Sequence, residues 1–346
     1  MRNVFISIIL ILGITACKNQ DVVFPDYTLQ AVYFPYQLPV RTLSLGEDRI
    51  DNTLDKEYKF DIGVCIGGMY QNKNNWTVDY IVDPTLLDSA FNLLGVPFIQ
   101  LPNTYYSLDP VNTATIPSGS FNGLIRVQLT DQFFNDSLAL TGQYVIPLRI
   151  TGTSADSVLS GKAIIQGVGD RRVISDWESG QFPKDWVLFG IKYVNAYHGT
   201  YLHRGRDIVS NGGVPVDTVV FRNKYIEQDL LMHLTSIDKQ SVATNGIGVL
   251  TSTLGKYSMV LSFENTQGTS GAITIKPRAG SDYAVTGTGQ YFDMKTSTES
   301  WTGLVWQSMY LKYNYNDGIN DHQVSDTLVF RDREIKFELN TIVIHH

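Results

Sequence analysis

Residues 58–67 alternate between apolar and polar side chains at every position. The apolar positions are Tyr58, Phe60, Ile62, Val64 and Ile66. A period of two is typical of a β-strand that buries one face. The pattern returns at 124–130 and 144–150, and further strand-like runs separated by Gly, Pro, Asn and Asp clusters follow. We therefore expect an all-β protein.

One segment has the pattern of a helix instead. Pro84–Leu94 begins with a proline at the first helical position, follows Asp83 as a capping residue, and is followed by Gly95. These signals predict a short helix that connects two strands.

Composition narrows the classes of protein that this chain can be. With 43% hydrophobic residues and 18% charged residues, it can bury a core and is not a disordered chain. A net charge of -7 argues against a nucleic-acid partner, because phosphate binding depends on clustered Lys and Arg. Two cysteines exclude a disulfide framework and a multi-cysteine zinc site.

The distribution of turn residues predicts two domains. Short strands with turns between them over residues 31–172 indicate an immunoglobulin-like β-sandwich. Gly, Arg and Pro crowd together over 166–186 with little periodicity, which places the boundary near residue 172. The nine or ten strand runs in 173–346 predict a closed, lipocalin-like antiparallel β-barrel or a second sandwich.

The N-terminus has the pattern of an export signal. The apolar run Val4–Ile14 is too short to cross a bilayer, so we expect residues 1–16 to be a signal peptide. Ile14-Thr15-Ala16-Cys17 resembles the lipobox of bacterial lipoproteins, which implies lipidation at Cys17 and a tether over residues 17–30. The alternative is an ordinary signal peptide with a chance cysteine. Lys18-Asn19-Gln20-Asp21 partly resembles the export tag of Bacteroidota lipoproteins, which favours the outer membrane and display on the cell surface.

The first domain also carries motifs that resemble a known group. These are Phe34-Pro35, Arg41-Thr42, Leu45-Gly46, Leu101-Pro102, Ile116-Pro117 and Tyr144-Val145-Ile146-Pro147-Leu148. Over residues 30–165 they resemble the N-terminal module of Bacteroidota two-domain surface lipoproteins of unknown function, which are often encoded beside polysaccharide-utilisation genes. The resemblance implies an immunoglobulin-like first domain, a β-rich second domain and glycan capture or adhesion. It implies no catalytic residues.

Aromatic residues next to polar ones are candidates for a sugar site. Pyranose rings stack on Trp or Tyr, while their hydroxyls pair with polar side chains. The alternative is that these aromatic rings fill the barrel core. We expect Trp301, which lies in a polar stretch, to be exposed. The candidate ligand-binding residues are Trp301, Trp306, Tyr310, Tyr197, His198, Tyr201, Arg204 and Trp76.

No nucleophile, metal or cofactor signature is recognisable in the sequence. Glu264, Asp293 and Glu299 are the carboxylates for which an acid pair is arguable, but solvated loop positions explain them better. Cys65 lies within a strand pattern and reads as structural.

The sequence thus favours a lipid-anchored, non-catalytic, carbohydrate-binding surface protein with a polysaccharide or oligosaccharide ligand. Two alternatives stay open. One is a glycoside hydrolase or carbohydrate esterase, and the other is a structural or adhesin partner of an outer-membrane protein.

Overall fold

The structure is a computed structural model that describes residues 25–48, 50–251 and 255–345. The expected signal peptide and Cys17 lie outside the described residues. Within them the chain is almost entirely β-structure and forms a sandwich followed by a barrel, which confirms the predicted fold class.

Twelve strands of the described chain precede the barrel. They are β1 (Ala31–Tyr33), β2 (Pro39–Ser44), β3 (Lys59–Gly67), β4 (Trp76–Val82), β5 (Ala90–Asn92), β6 (Ile99–Gln100), β7 (Tyr106–Asp109), β8 (Thr113–Ile116), β9 (Asn122–Leu129), β10 (Tyr144–Thr153), β11 (Ser157–Val158) and β12 (Trp186–Val194).

The remaining described strands form the barrel, its hairpins and the C-terminal segment. They are β13 (Gly199–Asn211), β14 (Val214–Phe221), β15 (Leu230–Ser236), β16 (Ser241–Thr244), β17 (Gly246–Ile247), β18 (Leu250–Thr251), β19 (Met259–Phe263), β20 (Gly271–Pro277), β21 (Thr286–Phe292), β22 (Ser300–Trp301), β23 (Leu304–Val305), β24 (Ser308–Asn316), β25 (Asp321–Asp332), β26 (Glu338–Leu339) and β27 (Ile342–Ile344).

Helical structure in the described residues is confined to single turns. The α-helices are Thr53–Lys56 and Asp131–Phe134, and the 3-10 helices are Pro84–Leu87, Ser137–Leu140, Ile174–Asp176 and Ile226–Gln228. The helix expected over Pro84–Leu94 is therefore wrong beyond its first turn. Asp83 does cap that turn by accepting the Thr85 N–H, but Ala90–Asn92 leaves the helix to pair with β27. A tertiary strand pairing has overridden the local helix signal.

Two sheets enclose the core of the first domain. One has the order β11-β1-β3-β9-β7, and the other has the order β26-β2-β12-β10-β4-β8, with β6 beside β10. The alternating apolar residues of β3, such as Ile62 and Val64, are buried against Leu43, Val78 and Ile146 of the facing sheet. This burial of one face of each sheet is the packing of a β-sandwich.

The second sheet includes a strand from beyond the boundary expected at residue 172. β12 pairs antiparallel with β10 and parallel with β2. The irregular stretch before it is a long connection within the first domain, held by Arg171, which binds Asp185, and Arg172, which binds the carbonyl of Leu86. The hydrogen-bonded sheet thus continues to Val194.

The barrel closes because one long strand has neighbours on both sides. β13 pairs with β15 through its first residues and with β25 along most of its length. The circuit β13-β15-β16-β19-β20-β21-β24-β25 is therefore a closed antiparallel barrel of eight strands, while β14 extends from the second half of β13. Closure removes the exposed edges that an open sheet would have.

A buried arginine joins the two domains. Arg333 leaves the last barrel strand and donates hydrogen bonds to the carbonyl oxygens of Glu47 in the first domain and His198 in the second. Its guanidinium carbon lies 4.6 Å from the centre of the Phe330 ring. The chain then returns to the first domain, where β26 pairs with β2 and β27 pairs with β5.

His198 lies at the same junction. Its Nδ1 accepts the backbone N–H of Ser236 at 3.1 Å. Burial, aided by the charge of Arg333, lowers the pKa of His198 to about 4. The imidazole is therefore neutral at pH 7.

We expect Arg333→Met to destabilise the protein by about 2–4 kcal/mol, because two carbonyl oxygens at the junction lose their donor. Urea unfolding measures the change. Arg331→Met is the matched control, since that arginine is an exposed neighbour on the same segment. Equal stability of the two variants would contradict the role assigned to Arg333.

His198 makes the stability depend on pH. Between about pH 6.5 and about pH 4, the His198 imidazole binds a proton in the unfolded chain but not in the folded chain. The free energy of unfolding therefore falls as the pH is lowered through this range. We expect His198→Asn to reduce this loss of stability at low pH by up to about 3 kcal/mol. The asparagine side-chain oxygen can accept the Ser236 N–H but does not titrate. Urea unfolding at pH 7 and pH 4 measures it.

His322 is the control of opposite sign. Burial opposes its charge, but hydrogen bonds to Asp207 and Asp317 raise its pKa overall. Its contribution to stability is therefore complete below pH 6.5 and is lost as the pH rises through its folded pKa. His322→Asn should therefore increase the loss of stability between pH 7 and pH 4. An equal loss of stability between pH 7 and pH 4 in the wild type and in His198→Asn would refute the role assigned to His198.

Candidate functional site

Three of the predicted ligand-binding residues lie in the barrel core. Tyr197 stacks on Phe263 with ring centres 3.5 Å apart, and the Tyr201 hydroxyl donates to the Tyr197 carbonyl oxygen at 2.9 Å. Both tyrosines and Trp306 are buried. Burial raises the pKa of Tyr201 to about 12. These rings pack the core, and none of the three presents a face to solvent.

Trp301 is half-buried, whereas the polar sequence around it predicted an exposed ring. Its indole N–H donates to the Phe330 carbonyl oxygen at 2.9 Å, and its ring centre lies 5.9 Å from that of Trp306. The β22–β23 hairpin folds the indole onto the barrel, so the polar neighbours face solvent while the ring packs inward.

Two predicted residues meet on the outer face of the barrel. Thr327 is opposite Tyr310 on one side and opposite Arg204 on the other. The Tyr310 hydroxyl donates to Glu299 at 2.7 Å, and Arg204 forms an ion pair with Asp229 at 2.5 Å. A shallow depression of about 320 Å³ lies here, lined by Gln290, Tyr310, Lys312, Ser325 and Thr327 among others.

The last two predicted residues lie away from this face. Trp76 is on β4 in the first domain, where its indole N–H donates to Asn72 at 2.9 Å. His198 belongs to the junction between the domains. The eight predicted residues therefore do not form one site.

An apolar cleft lies beside the junction. Tyr36 precedes β2 and is 50% exposed, and Phe337 precedes β26 and is 66% exposed. Their ring centres are 5.2 Å apart, with an angle of 55° between the ring planes. Phe189 and Pro39 line the floor of the same cleft, which has a volume of about 360 Å³. Two exposed aromatic rings thus meet at one opening.

Polar groups continue this cleft on the far side of Arg41. A second cavity of about 370 Å³ shares Arg41, Thr42, Ile335 and Lys336 with the aromatic cleft. Arg41 pairs with the buried Asp55 at 2.5 Å, which also accepts the Ser44 N–H at 2.9 Å. We call the two cavities together the junction cleft, with an aromatic half and a polar half.

Acidic residues predominate in the polar half. Asp51 accepts hydrogen bonds from the side chain and backbone of Thr53, which lower its pKa. Burial opposes the ionisation of Glu334, but the Thr200 hydroxyl and the nearby His233 lower its pKa overall. These carboxylates are therefore ionised at neutral pH and can accept hydrogen bonds from hydroxyl groups, while Arg41 and Lys336 can donate.

The aromatic half was missed in the sequence because its two rings lie at positions 36 and 337. The criterion that singled out Trp301, an aromatic residue in a polar stretch, also fits Phe337, which stands between Lys336 and Glu338. Tyr36 lies between Pro35 and Pro39, where a regular buried strand is not expected. These signals mark exposed aromatics, but only the fold brings them together.

The carboxylates considered for acid catalysis make structural hydrogen bonds. Asp293 accepts several from the turn that follows it, and although its burial acts in the opposite direction, these bonds lower its pKa. A general acid at neutral pH needs the reverse shift. Glu264 accepts the Ala272 N–H, and Glu299 accepts the Tyr310 hydroxyl.

Residues 25–48, 50–251 and 255–345 contain no cluster of three or more His, Cys, Asp or Glu side chains suited to a metal ion. None of the helices within these ranges is long and apolar enough to cross a membrane.

Two family models match separate parts of the chain. A family model that describes an N-terminal domain matches residues 25–157, and the domain of unknown function DUF5627 matches residues 196–334. No curated protein matches the chain.

Solved structures include a relative of almost the same extent. A Bacteroides ovatus protein of unknown function is 30% identical, with a TM-score of 0.79, and the match covers 92% of this chain and 100% of that one. A second B. ovatus protein of unknown function is 13% identical, with a TM-score of 0.43 over 90% of this chain and 100% of that one. An auxiliary nutrient binding protein from Bacteroides thetaiotaomicron is 15% identical, with a TM-score of 0.39 over 86% and 95%.

The last two TM-scores are too low to support an argument. The first match extends through both domains. This chain therefore belongs to the same family as the B. ovatus protein of unknown function that it matches over that protein's full length.

Proposed function

We propose that this protein is a non-catalytic, carbohydrate-binding lipoprotein of the outer membrane, and that an oligosaccharide segment binds in the junction cleft. The observation that carries the proposal is the pair of exposed rings, Tyr36 and Phe337, beside a wall of ionised and hydrogen-bonding side chains. Sugar rings have apolar C–H faces and a rim of hydroxyls, so they need both halves of such a cleft.

The proposed location rests on the sequence. Acylation at Cys17 would hold the protein in the outer membrane, because several acyl chains bind a bilayer far more strongly than one. The lipobox and the resemblance to Bacteroidota surface lipoproteins favour display on the cell surface, where polysaccharides are captured in a polysaccharide-utilisation system. A neighbouring outer-membrane protein is the expected partner.

The outer barrel face is a second candidate for the sugar site. Tyr310 and Arg204 stand there with the hydroxyls of Thr327 and Ser325 and the amide of Gln290. We rank this face below the junction cleft, because the Tyr310 hydroxyl is already bonded to Glu299.

We expect Tyr36→Ala and Phe337→Ala each to weaken the binding of a cleft oligosaccharide by at least about tenfold, or about 1.4 kcal/mol, since each removes one stacking surface. A glycan array with the purified full chain selects the ligand, and titration calorimetry measures affinity. Tyr225→Ala is the matched control, because Tyr225 is similarly exposed on the barrel domain.

The same ligand distinguishes the two faces. Loss of affinity in Tyr310→Ala, with Tyr36→Ala and Phe337→Ala unchanged, would move the site to the barrel face. Absence of binding to any glycan on the array would refute the proposed function itself.

We also expect Cys17→Ser to release the protein from the membrane fraction of its host, because the substitution removes the acylated sulfur. Cell fractionation and the intact mass of the mature chain measure this. Cys65→Ser is the control and should leave the membrane association and the mass added by acylation unchanged. A mature wild-type chain without acyl groups would refute the anchor.

A further inference from the structure

Three large apolar side chains are exposed where the tether enters the first domain. Tyr27 is 70% exposed, Leu29 62% and Tyr70 60%. The Tyr27 N–H donates to the Gly68 carbonyl oxygen at 3.0 Å, and the Tyr70 N–H donates to the Asp26 carboxylate at 2.7 Å. These bonds hold the two short segments side by side, and we call the three exposed side chains together the entry patch.

The entry patch and the barrel lie at opposite ends of the sandwich. β3 runs from Lys59 to Gly67, which is about 26 Å at about 3.3 Å per residue. At its Gly67 end it reaches the entry patch. At its other end, Tyr58 faces Lys239 of the second domain, whose ammonium lies 5.1 Å from the Tyr58 ring centre and 3.1 Å from Asp131.

We propose that the entry patch rests on the lipid surface of the membrane that holds the anchor. This inference rests on the proposed acylation at Cys17. Seven residues lie between Cys17 and Pro25, and the eight residue steps from one to the other span at most about 28 Å. The anchor therefore keeps the patch within that distance of the bilayer, at a high effective concentration of lipid.

The chemistry of the entry patch fits contact with a lipid surface. Tyrosine is enriched at membrane–water interfaces because its ring is apolar while its hydroxyl stays hydrated, and a leucine beside two tyrosines adds apolar area to the contact. With this end on the membrane, the sandwich acts as a spacer. The junction with the barrel then lies about the length of β3 farther from the lipid.

Hydroxyl-radical footprinting tests the orientation, because it reports the solvent exposure of individual tyrosines. The sample is the acylated full mature chain in vesicles of phosphatidylethanolamine and phosphatidylglycerol, with acylation verified by intact mass. The reference is the Cys17→Ser chain with the same vesicles. Tyr225, which is 54% exposed on the barrel domain, is the internal control.

We expect anchoring to lower the oxidation of Tyr27 and Tyr70 by at least about threefold and to leave that of Tyr225 within about 1.5-fold. Leu29→Glu combined with Tyr70→Glu should restore the oxidation of Tyr27 in the anchored chain, whereas Leu304→Glu, at an exposed leucine of the barrel domain, should not.

Unchanged oxidation of Tyr27 and Tyr70 in an acylated chain would overturn the inference, as would protection of Tyr27 alone, which reports only on the tether. Protection in intact cells but not in vesicles would assign the patch to a protein partner and would equally overturn it. None of these outcomes bears on the glycan titrations. An unacylated mature chain would refute both the anchor and this orientation.

Discussion

The junction between the two domains depends on one buried cation. The Arg333 guanidinium binds carbonyl oxygens from both domains and stacks on Phe330, so it connects the loop after β2 to the start of the barrel. A buried arginine without these bonds would carry a large desolvation penalty, which makes the bound arrangement specific. Gly46 is part of this arrangement, because a Cβ at that position would lie 2.2 Å from the guanidinium.

The shape of the junction cleft depends on the contacts of Arg333. The segment after Arg333 carries Ile335, Lys336 and Phe337 across the first domain before Glu338 pairs with Lys192 at 2.8 Å. Its two ends are thus fixed by hydrogen bonds and an ion pair, and Phe337 is held opposite Tyr36. A preorganised pair of rings loses less entropy on binding a ligand than two independently mobile side chains.

Much of the architecture could be predicted from the sequence, since the period-two alternation in strands such as β3 and β9 is a local property of each strand. The placement of β12 could not, because its pairing with β2 and β10 is decided by sheet partners far away in the chain. Alternation also separates two faces without saying which one is inside a barrel, so it does not reveal that Tyr201, a predicted site residue, is buried. The cleft needs residues 36 and 337 in contact, which no local pattern encodes.

The proposed lipid anchor, together with the sandwich and the cleft, would give a protein that holds a binding surface at a distance from the membrane. The central claim is that a sugar ring occupies the aromatic half of the junction cleft. A crystal structure of the full chain with the oligosaccharide selected on the array tests it most directly. We predict a pyranose ring stacked on Tyr36 or Phe337, with its hydroxyls bonded to Arg41 or the acidic wall. A sugar bound on the barrel face, with the cleft occupied only by solvent, would contradict the account.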